Sequence, residues 1–300
     1  MSSSVPSRDN RCTLRLGTFD SERFWRDADL SQLPGIPDKQ AEGIVSVMDE
    51  LLFSTCDSQN DVLITRHPMD TAHRQYLAEI GFRFINNEKK VAASRDHAAH
   101  EAVCGLLHKH GEELYFRKLL AKANHYAPYS VLPFTLDFCR HYAIPANFPN
   151  INTVTEVNSK LYSHRLTAET LGEMQGEIVA SAHELRDAGK RLLADGPLLV
   201  KDDFGVSGRG NLLIESSQLL ERIVRHLTKQ ENQGRQTRFL IEPLLEKALD
   251  FSCQLEISPD GAMKMVSVQQ MDNAGFAFSA IRTADQTFIV GFFLPAGNQS

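Results

Sequence analysis

Residues 198–214, with the sequence LLVKDDFGVSGRGNLLI, decide which fold this chain adopts. An apolar run ends in Lys201, two acids follow, and a loop containing three glycines leads into a second apolar run. Glycine lets backbone N–H groups approach an anion closely, and a lysine adds a compact positive charge. The stretch therefore predicts two strands joined by a flap over the phosphates of a nucleotide. The alternative is a glycine-rich hairpin with a surface lysine, and the loop alone favours neither interpretation.

Other phosphate-binding motifs do not fit this loop. A P-loop requires GxxxxGK[ST] at the start of a helix, whereas the strand-like NLLI follows Gly210 here. A dinucleotide fingerprint requires GxGxxG between a strand and a helix, but this loop has GxxGxG between two strands. The protein-kinase flap is also strand–loop–strand, yet the chain has no HRD or DFG segment. The flap is therefore expected in another nucleotide-binding fold.

Composition limits the class of protein. Three hundred residues, 42% of them hydrophobic, suit two domains with substantial cores. A net charge of −6 argues against a general nucleic-acid partner, because such proteins carry basic surfaces. No run reaches the roughly 18 to 20 apolar residues of a membrane helix, the start is polar, and the five cysteines are widely spread. We expect a cytoplasmic protein with reduced thiols and no membrane partner.

Strands alternate with helices along the chain, which predicts an α/β (α+β) fold. Asp70 is expected to cap one helix, and Ser216 or Ser217 to cap an amphipathic helix after the flap. Residues 158–196 are predicted to be mostly helical. The prolines of ANFPNIN place a boundary near 146–152, which gives predicted domains of 1–150 and 151–300.

Three segments in order, NSKLYSHRL, PLLVKDDFGVSGRGNLLI and FLIEPLLEKALDFSCQL, resemble the ATP-grasp superfamily of ATP-dependent carboxylate–amine (or thiol) ligases. The half before them looks like the pre-ATP-grasp domain that precedes many such catalytic regions. The resemblance implies an α/β pre-ATP-grasp domain followed by an ATP-grasp fold that is incomplete at its C-terminus. In detail, NSK and SGRGN are most similar to peptide ligases of antibiotic biosynthesis, such as the pheganomycin-type ligase.

The resemblance assigns the phosphate-binding residues. Lys160 and Lys201 would reach the α- and β-phosphates from two sides of a cleft. Backbone N–H groups of the flap would close over the β- and γ-phosphates. The flap residues expected in the site are Gly205, Ser207, Gly208, Arg209 and Gly210.

The resemblance also assigns a nucleoside site to the hinge. Glu242 would accept a hydrogen bond from the adenine amino group. Pro243 has no N–H, so the backbone N–H of Leu244 or Leu245 would serve the ring. Asp250 would bind the ribose hydroxyls, although glutamate, one methylene longer, is usual at this position.

The implied chemistry is attack of a substrate carboxylate on the γ-phosphate of ATP, followed by attack of an amine on the acylphosphate, with Mg²⁺ bridging the phosphates. The family's metal ligands follow an E-x-N pattern, which residues 260–300 lack. Asp272, Asn273 and Asp285 are predicted to be turn-like and to face solvent. Either the chain is a fragment of a longer ligase, which we favour, or a degenerate member that does not hold Mg²⁺.

Several features leave alternatives open. Arg282 is a candidate for stabilising an oxyanion or the acylphosphate, and a surface arginine on a strand is an equal alternative. Trp25 and Cys253 are expected in cores. His97 and His100, one helical turn apart, are expected on a solvated face rather than in a metal site.

Three functions remain open: a ligase acting on a small-molecule carboxylate and amine (an amino acid or peptide), a non-catalytic nucleotide-binding or scaffold protein, and a small-molecule kinase. The sequence leaves the oligomeric state open, with a homodimer among the options.

Overall fold

The computed structural model describes residues 11–35, 39–91, 102–110, 114–172, 175–205, 210–258, 260–274 and 277–282, with backbone only at 39, 109–110, 274 and 277–282. The helices are α1 (Glu22–Trp25), α2 (Lys39–Val45), a 3-10 helix (Met48–Thr55), α3 (Thr71–Glu79), α4 (Val103–His110), α5 (Leu114–Leu120), α6 (Thr135–His141), α7 (Ile151–Val157), α8 (Lys160–Leu171), α9 (Ala182–Leu193) and α10 (Ser217–Glu231). The strands are β1 (Thr13–Leu16), β2 (Val62–Leu63), β3 (Ile85–Asn86), β4 (His125–Pro128), β5 (Glu177–Val179), β6 (Leu198–Asp202), β7 (Asn211–Ile214), β8 (Phe239–Pro243), β9 (Asp250–Ile257), β10 (Met263–Ala274) and β11 (Ala277–Arg282). The predicted mixed α/β class is confirmed.

The chain divides into two compact units. Unit 1 comprises residues 1–30 and 34–170, and unit 2 comprises residues 31–33 and 171–300. Helix α7 and nearly all of α8 thus lie in unit 1, although the sequence-based boundary near 146–152 places them in the second predicted domain. The assignment of the two predicted domains as pre-ATP-grasp and ATP-grasp stays a prediction.

Unit 1 is built on a parallel sheet in the order β3-β2-β1-β4. Leu14 and Leu16 of β1 and both residues of β2 are fully buried, as expected for a sheet covered on its faces. Trp25 is only 8% exposed, and its indole Nε1 donates a hydrogen bond to the Val131 carbonyl at 2.9 Å. The prediction that Trp25 packs in a core is confirmed.

Unit 2 contains an antiparallel sheet in the order β5-β8-β6-β7. Successive side chains of a strand point to opposite faces of a sheet, and one face of this sheet packs against helices. Leu198 and Val200 of β6 and Phe239 and Ile241 of β8 pack in one core with α9 and α10. The opposite face carries Lys201 and Glu242 beside the buried residues Leu199 and Leu240.

A second sheet of unit 2 has the antiparallel order β11-β10-β9. On β9, the odd-numbered residues Phe251, Cys253, Leu255 and Ile257 share one face, and all four are exposed. The prediction of a buried Cys253 is wrong. Cys253 does lie on the apolar face of the strand, as the alternating pattern predicted. However, none of the described residues packs against that face.

Strand β5 lies in a region for which the sequence predicted helix. It has only three residues, too few to display an alternating pattern, and it is a strand because it pairs with β8. Among the described residues, none of the helices has the length and apolar character needed to cross a membrane.

Candidate functional site

Lys201 and Glu242 lie on the sheet face opposite the helices. They alternate with the buried residues Val200 and Ile241, which places both side chains on this second face. The two side chains form an ion pair, and each is less than one quarter exposed. The structure thus brings together a predicted phosphate-binding lysine and a predicted adenine-binding carboxylate, and the charge of the lysine is compensated by its neighbour.

The hinge after β8 supplies two backbone N–H candidates for a base. The N–H of Leu244 donates to the Pro197 carbonyl at 2.9 Å, so it is already used within the fold. The N–H of Leu245 donates to no group in the described part of the chain. Of the two predicted residues, Leu245 is the one whose N–H remains available to a ligand, and its contact with a base stays a prediction.

A pocket of about 570 Å³ opens beside this hinge. It is lined by Leu213 of β7, by Leu244, Leu245 and residues 247–250 of the hinge, and by residues 270–273 of β10. Leu213, the two hinge leucines and Met271 give it apolar walls, whereas Asp250 and Asn273 give it a polar end. Lys247, Gln270 and Asp272 add further polar groups, so the lining is mixed and suits a ligand with an apolar part and a polar part.

Asp250 is held in place at the polar end of the pocket. Its Oδ2 accepts hydrogen bonds from Nδ2 of Asn273 at 2.8 Å and from Nζ of Lys247 at 3.0 Å. These two hydrogen bonds, that from Asn273 first, lower the pKa of the Asp250 carboxyl below its ordinary value. Asp250 is therefore an ionised acceptor at neutral pH. Despite its shorter side chain, it lines the pocket.

Asp272 and Asn273 are functional candidates that the sequence interpretation missed. They were predicted to be turn-like and to face solvent, but both lie in β10, are half-buried and line the pocket. The prediction was wrong because Asp and Asn favour turns, whereas here the pairing of β10 with β9 and β11 overrides that preference. The available signal was the long alternating run that precedes them.

The base of the glycine loop is well anchored. The N–H of Asp202 donates to the Gly210 carbonyl at 2.6 Å, and Asp203, almost fully buried, pairs with Nη2 of Arg238 at 2.8 Å. Gly210 has φ +76°, and a Cβ there would lie 3.0 Å from Cβ of Asp202, so glycine is needed at this position. Gly205 is also described, whereas the predicted site residues Ser207, Gly208 and Arg209 lie outside the described residues.

Lys160 and Arg282 are less closely defined. Lys160 is the first residue of α8 and is half-buried, but it belongs to unit 1. Its convergence with Lys201 on one phosphate tail stays a prediction. Arg282 ends β11 directly opposite Gln270, which lines the pocket, and only its backbone is described.

The described residues do not form a metal site by themselves. Within the described ranges, no group of three His, Cys, Asp or Glu side chains is arranged to hold a metal ion. His97, His100 and Asp285 lie outside those ranges.

No model of a known protein family matches the sequence, and no curated protein matches it. Solved structures do match. N5-carboxyaminoimidazole synthetase from Staphylococcus aureus, complexed with ADP, is 11% identical with a TM-score of 0.50. Biotin carboxylase from Campylobacter jejuni, in its β-γ-ATP complex, is 14% identical with a TM-score of 0.50.

The matches cover 93% and 89% of this chain, which spans 60% of the length of the Staphylococcus aureus protein and 53% of the Campylobacter jejuni protein. At these identities the similarity bears on fold. The chain has the ATP-grasp fold that its sequence predicted.

Proposed function

We propose that the chain acts as an ATP-dependent carboxylate–amine ligase that forms an amide or peptide bond through an acylphosphate. The observation that carries this proposal is the pocket of about 570 Å³, where Leu244 and Leu245 of the predicted hinge and the predicted ribose-binding acid line one cavity. Glu242 and Lys201 are not among the residues that line it. The ADP and ATP complexes of the two similar proteins agree with a nucleotide in this fold.

The pocket fits a nucleoside in size and in chemistry. The leucines and Met271 would contact the two faces of adenine, and the N–H of Leu245 would donate to the ring edge. Glu242 has two carboxylate oxygens, so it would accept from the adenine amino group while still paired with Lys201. Asp250, ionised at neutral pH, would accept from the ribose.

Lys201 would then neutralise charge on the phosphates, together with Lys160 and the flap. A substrate carboxylate would attack the γ-phosphate, with ADP leaving. An amine would attack the resulting acylphosphate and expel phosphate, which yields the amide. The protein's part in this chemistry is positioning and charge stabilisation, and Arg282 is the candidate for the developing oxyanion.

ATP and Mg²⁺ are the implied cofactors. The described residues do not contain a cluster of side chains that could hold the metal ion. The finer proposal for the substrates is an amino acid or peptide as acyl donor and a second one as amine, as in the pheganomycin-type ligase. The names of both similar proteins, N5-carboxyaminoimidazole synthetase and biotin carboxylase, refer to a carboxyl group. Bicarbonate should therefore be tested as a substrate acid.

Nucleotide binding tests the site. Lys201→Ala removes a positive charge facing the phosphates, and we expect ATP affinity in the presence of Mg²⁺, measured by isothermal titration calorimetry, to fall at least about tenfold. Lys190→Ala is the matched control, because Lys190 makes an exposed ion pair with Glu221 at 3.5 Å on α9, away from the pocket. Equal ATP affinity in Lys201→Ala and in the unmodified protein would remove Lys201 from the site.

Turnover separates the ligase from the alternatives. ADP release is measured with a panel of amino acids, peptides and bicarbonate, with and without an amine, and products are identified by mass spectrometry. A ligase releases ADP and yields an amide only when acid and amine are both present. ATP binding without ADP release supports the non-catalytic nucleotide-binding protein, and ADP release with a phosphorylated product and no amine supports the kinase.

A further inference from the structure

At the polar end of the pocket, Asp250 and Asn273 each have one oxygen atom that could accept a hydrogen bond from a ligand. Lys247 and Asn273 both donate to the same oxygen of Asp250, its Oδ2. Within the described residues, Oδ1 of Asp250 and the amide oxygen of Asn273 accept no hydrogen bond. All three residues line the pocket. Two unused acceptors are thus adjacent in one cavity.

Strand pairing fixes this arrangement. Asp250 lies directly opposite Met271 in the β9–β10 ladder, and Asn273 lies two residues beyond Met271 on the same face. A diagonal neighbour in an antiparallel pair is within reach of a side chain such as asparagine. The orientation of the Asp250 carboxylate is therefore set by the sheet through Asn273, in addition to the contact with Lys247 from the hinge.

We propose that Asn273 both orients Asp250 and contacts the ligand directly, and that it makes the pocket selective for a ribose with both hydroxyl groups, so that ribonucleotides bind in preference to deoxyribonucleotides. This inference rests on the proposed ATP site. A vicinal diol offers two hydroxyl donors, which match the two adjacent acceptors. A ligand that lacks one hydroxyl leaves an acceptor without a partner, and sites with such acceptors discriminate strongly against that ligand.

The test compares ATP, 2′-deoxy-ATP and 3′-deoxy-ATP by calorimetric titration in the presence of Mg²⁺. We expect the unmodified protein to bind ATP about tenfold more tightly than at least one deoxynucleotide, because the missing hydroxyl leaves a half-buried acceptor without a partner. The Asn273→Ala variant should bind ATP only as tightly as the unmodified protein binds the disfavoured deoxynucleotide. The affinity for that deoxynucleotide should be the same in both proteins. A general structural defect would weaken all three nucleotides together.

Two further variants complete the design. Asn273→Ser keeps a polar side chain that is too short to reach Asp250, and it provides the same comparison if the alanine variant folds poorly. Gln269→Ala is the control, because Gln269 lies on the same face of β10 opposite Ser252 and does not line the pocket. It should keep the selectivity of the unmodified protein.

The outcomes distinguish this inference from the proposed function. If the unmodified protein binds no nucleotide, both fail. If it binds ATP in a manner that depends on Lys201 but does not distinguish ATP from the deoxynucleotides, or if Asn273→Ala keeps the full selectivity, only the role of Asn273 is overturned.

Discussion

Asp49 lies on the 3-10 helix Met48–Thr55 and is only 5% exposed. Its Oδ2 accepts a hydrogen bond from the backbone N–H of Arg66 at 2.6 Å, which favours the ionised form. Burial outweighs this contact and raises the pKa of the Asp49 carboxyl to about 6. A carboxyl group with a raised pKa binds its proton more tightly in the folded state than in the unfolded state, so its ionisation costs stability.

The stability of unit 1 should therefore depend on pH through Asp49. The folded state holds more protons than the unfolded state between about pH 4 and 6, so this contribution to stability is lost as the pH rises through that range. Relative to the unmodified protein, Asp49→Asn should gain roughly 2 kcal/mol in unfolding free energy between pH 4 and pH 7. Urea unfolding followed by fluorescence of Trp25, the chain's single tryptophan, measures unit 1 directly. A difference between the two proteins that stays constant with pH would contradict the raised pKa.

At the scale of elements, the start of α10 settles an alternative that the sequence left open. Ser216, with extended backbone angles, accepts a hydrogen bond from the N–H of Leu219 through its side chain, and Ser217 is the first helical residue. The N-cap is therefore Ser216. This helix buries Leu220, Ile223, Val224 and Leu227 against the sheet of unit 2, so its stability matters to that core.

Ser216→Ala should destabilise unit 2 by about 1 kcal/mol, because an N–H of the first turn loses its acceptor. Ser217→Ala should change stability by less than about 0.5 kcal/mol, because an exposed first-turn residue loses no cap. Chemical unfolding is followed by circular dichroism at 222 nm, which measures the helix content of the whole chain, including α10. Trp25 fluorescence measures unit 1 alone and serves as an internal control. Equal effects of the two substitutions would contradict the assignment of the cap.

Local patterns predicted the elements that carry the site, but not the contacts between them. The short apolar runs that end at Lys201 and Glu242 predicted their strands, and the ion pair followed only from the pairing of β6 with β8. Asn273 lies 23 residues from Asp250, and their contact depends on the register of β9 and β10. Short-range sequence signals do not specify such a register, because it is set by which faces become buried in the folded protein.

At the scale of the whole molecule, unit 2 is discontinuous in sequence. Residues 31–33 belong to it, although the chain on either side of them belongs to unit 1. The N–H of Ser31 donates to the Gln236 carbonyl at 2.8 Å, and Gln32 exchanges two hydrogen bonds with the side chain of Gln230, at 3.0 and 2.9 Å. Leu33 packs against the core of unit 2. A segment far away in sequence is thus part of the same folded unit as α10.

Gln230→Ala should loosen this segment without unfolding the rest of unit 2. The substitution removes both hydrogen bonds between the Gln230 side chain and Gln32, each worth about 1 kcal/mol. Because local opening governs amide exchange, we expect the peptide containing residues 31–33 to exchange several-fold faster in hydrogen-exchange mass spectrometry, with α9 unchanged. Gln218→Ala is the matched control, since Gln218 is exposed at the other end of α10. Faster exchange throughout unit 2 would mean that Gln230 supports the whole core. Unchanged exchange of residues 31–33 would mean that the other contacts, from Ser31, from Leu33 and from His226 to the Gln32 carbonyl, hold the segment.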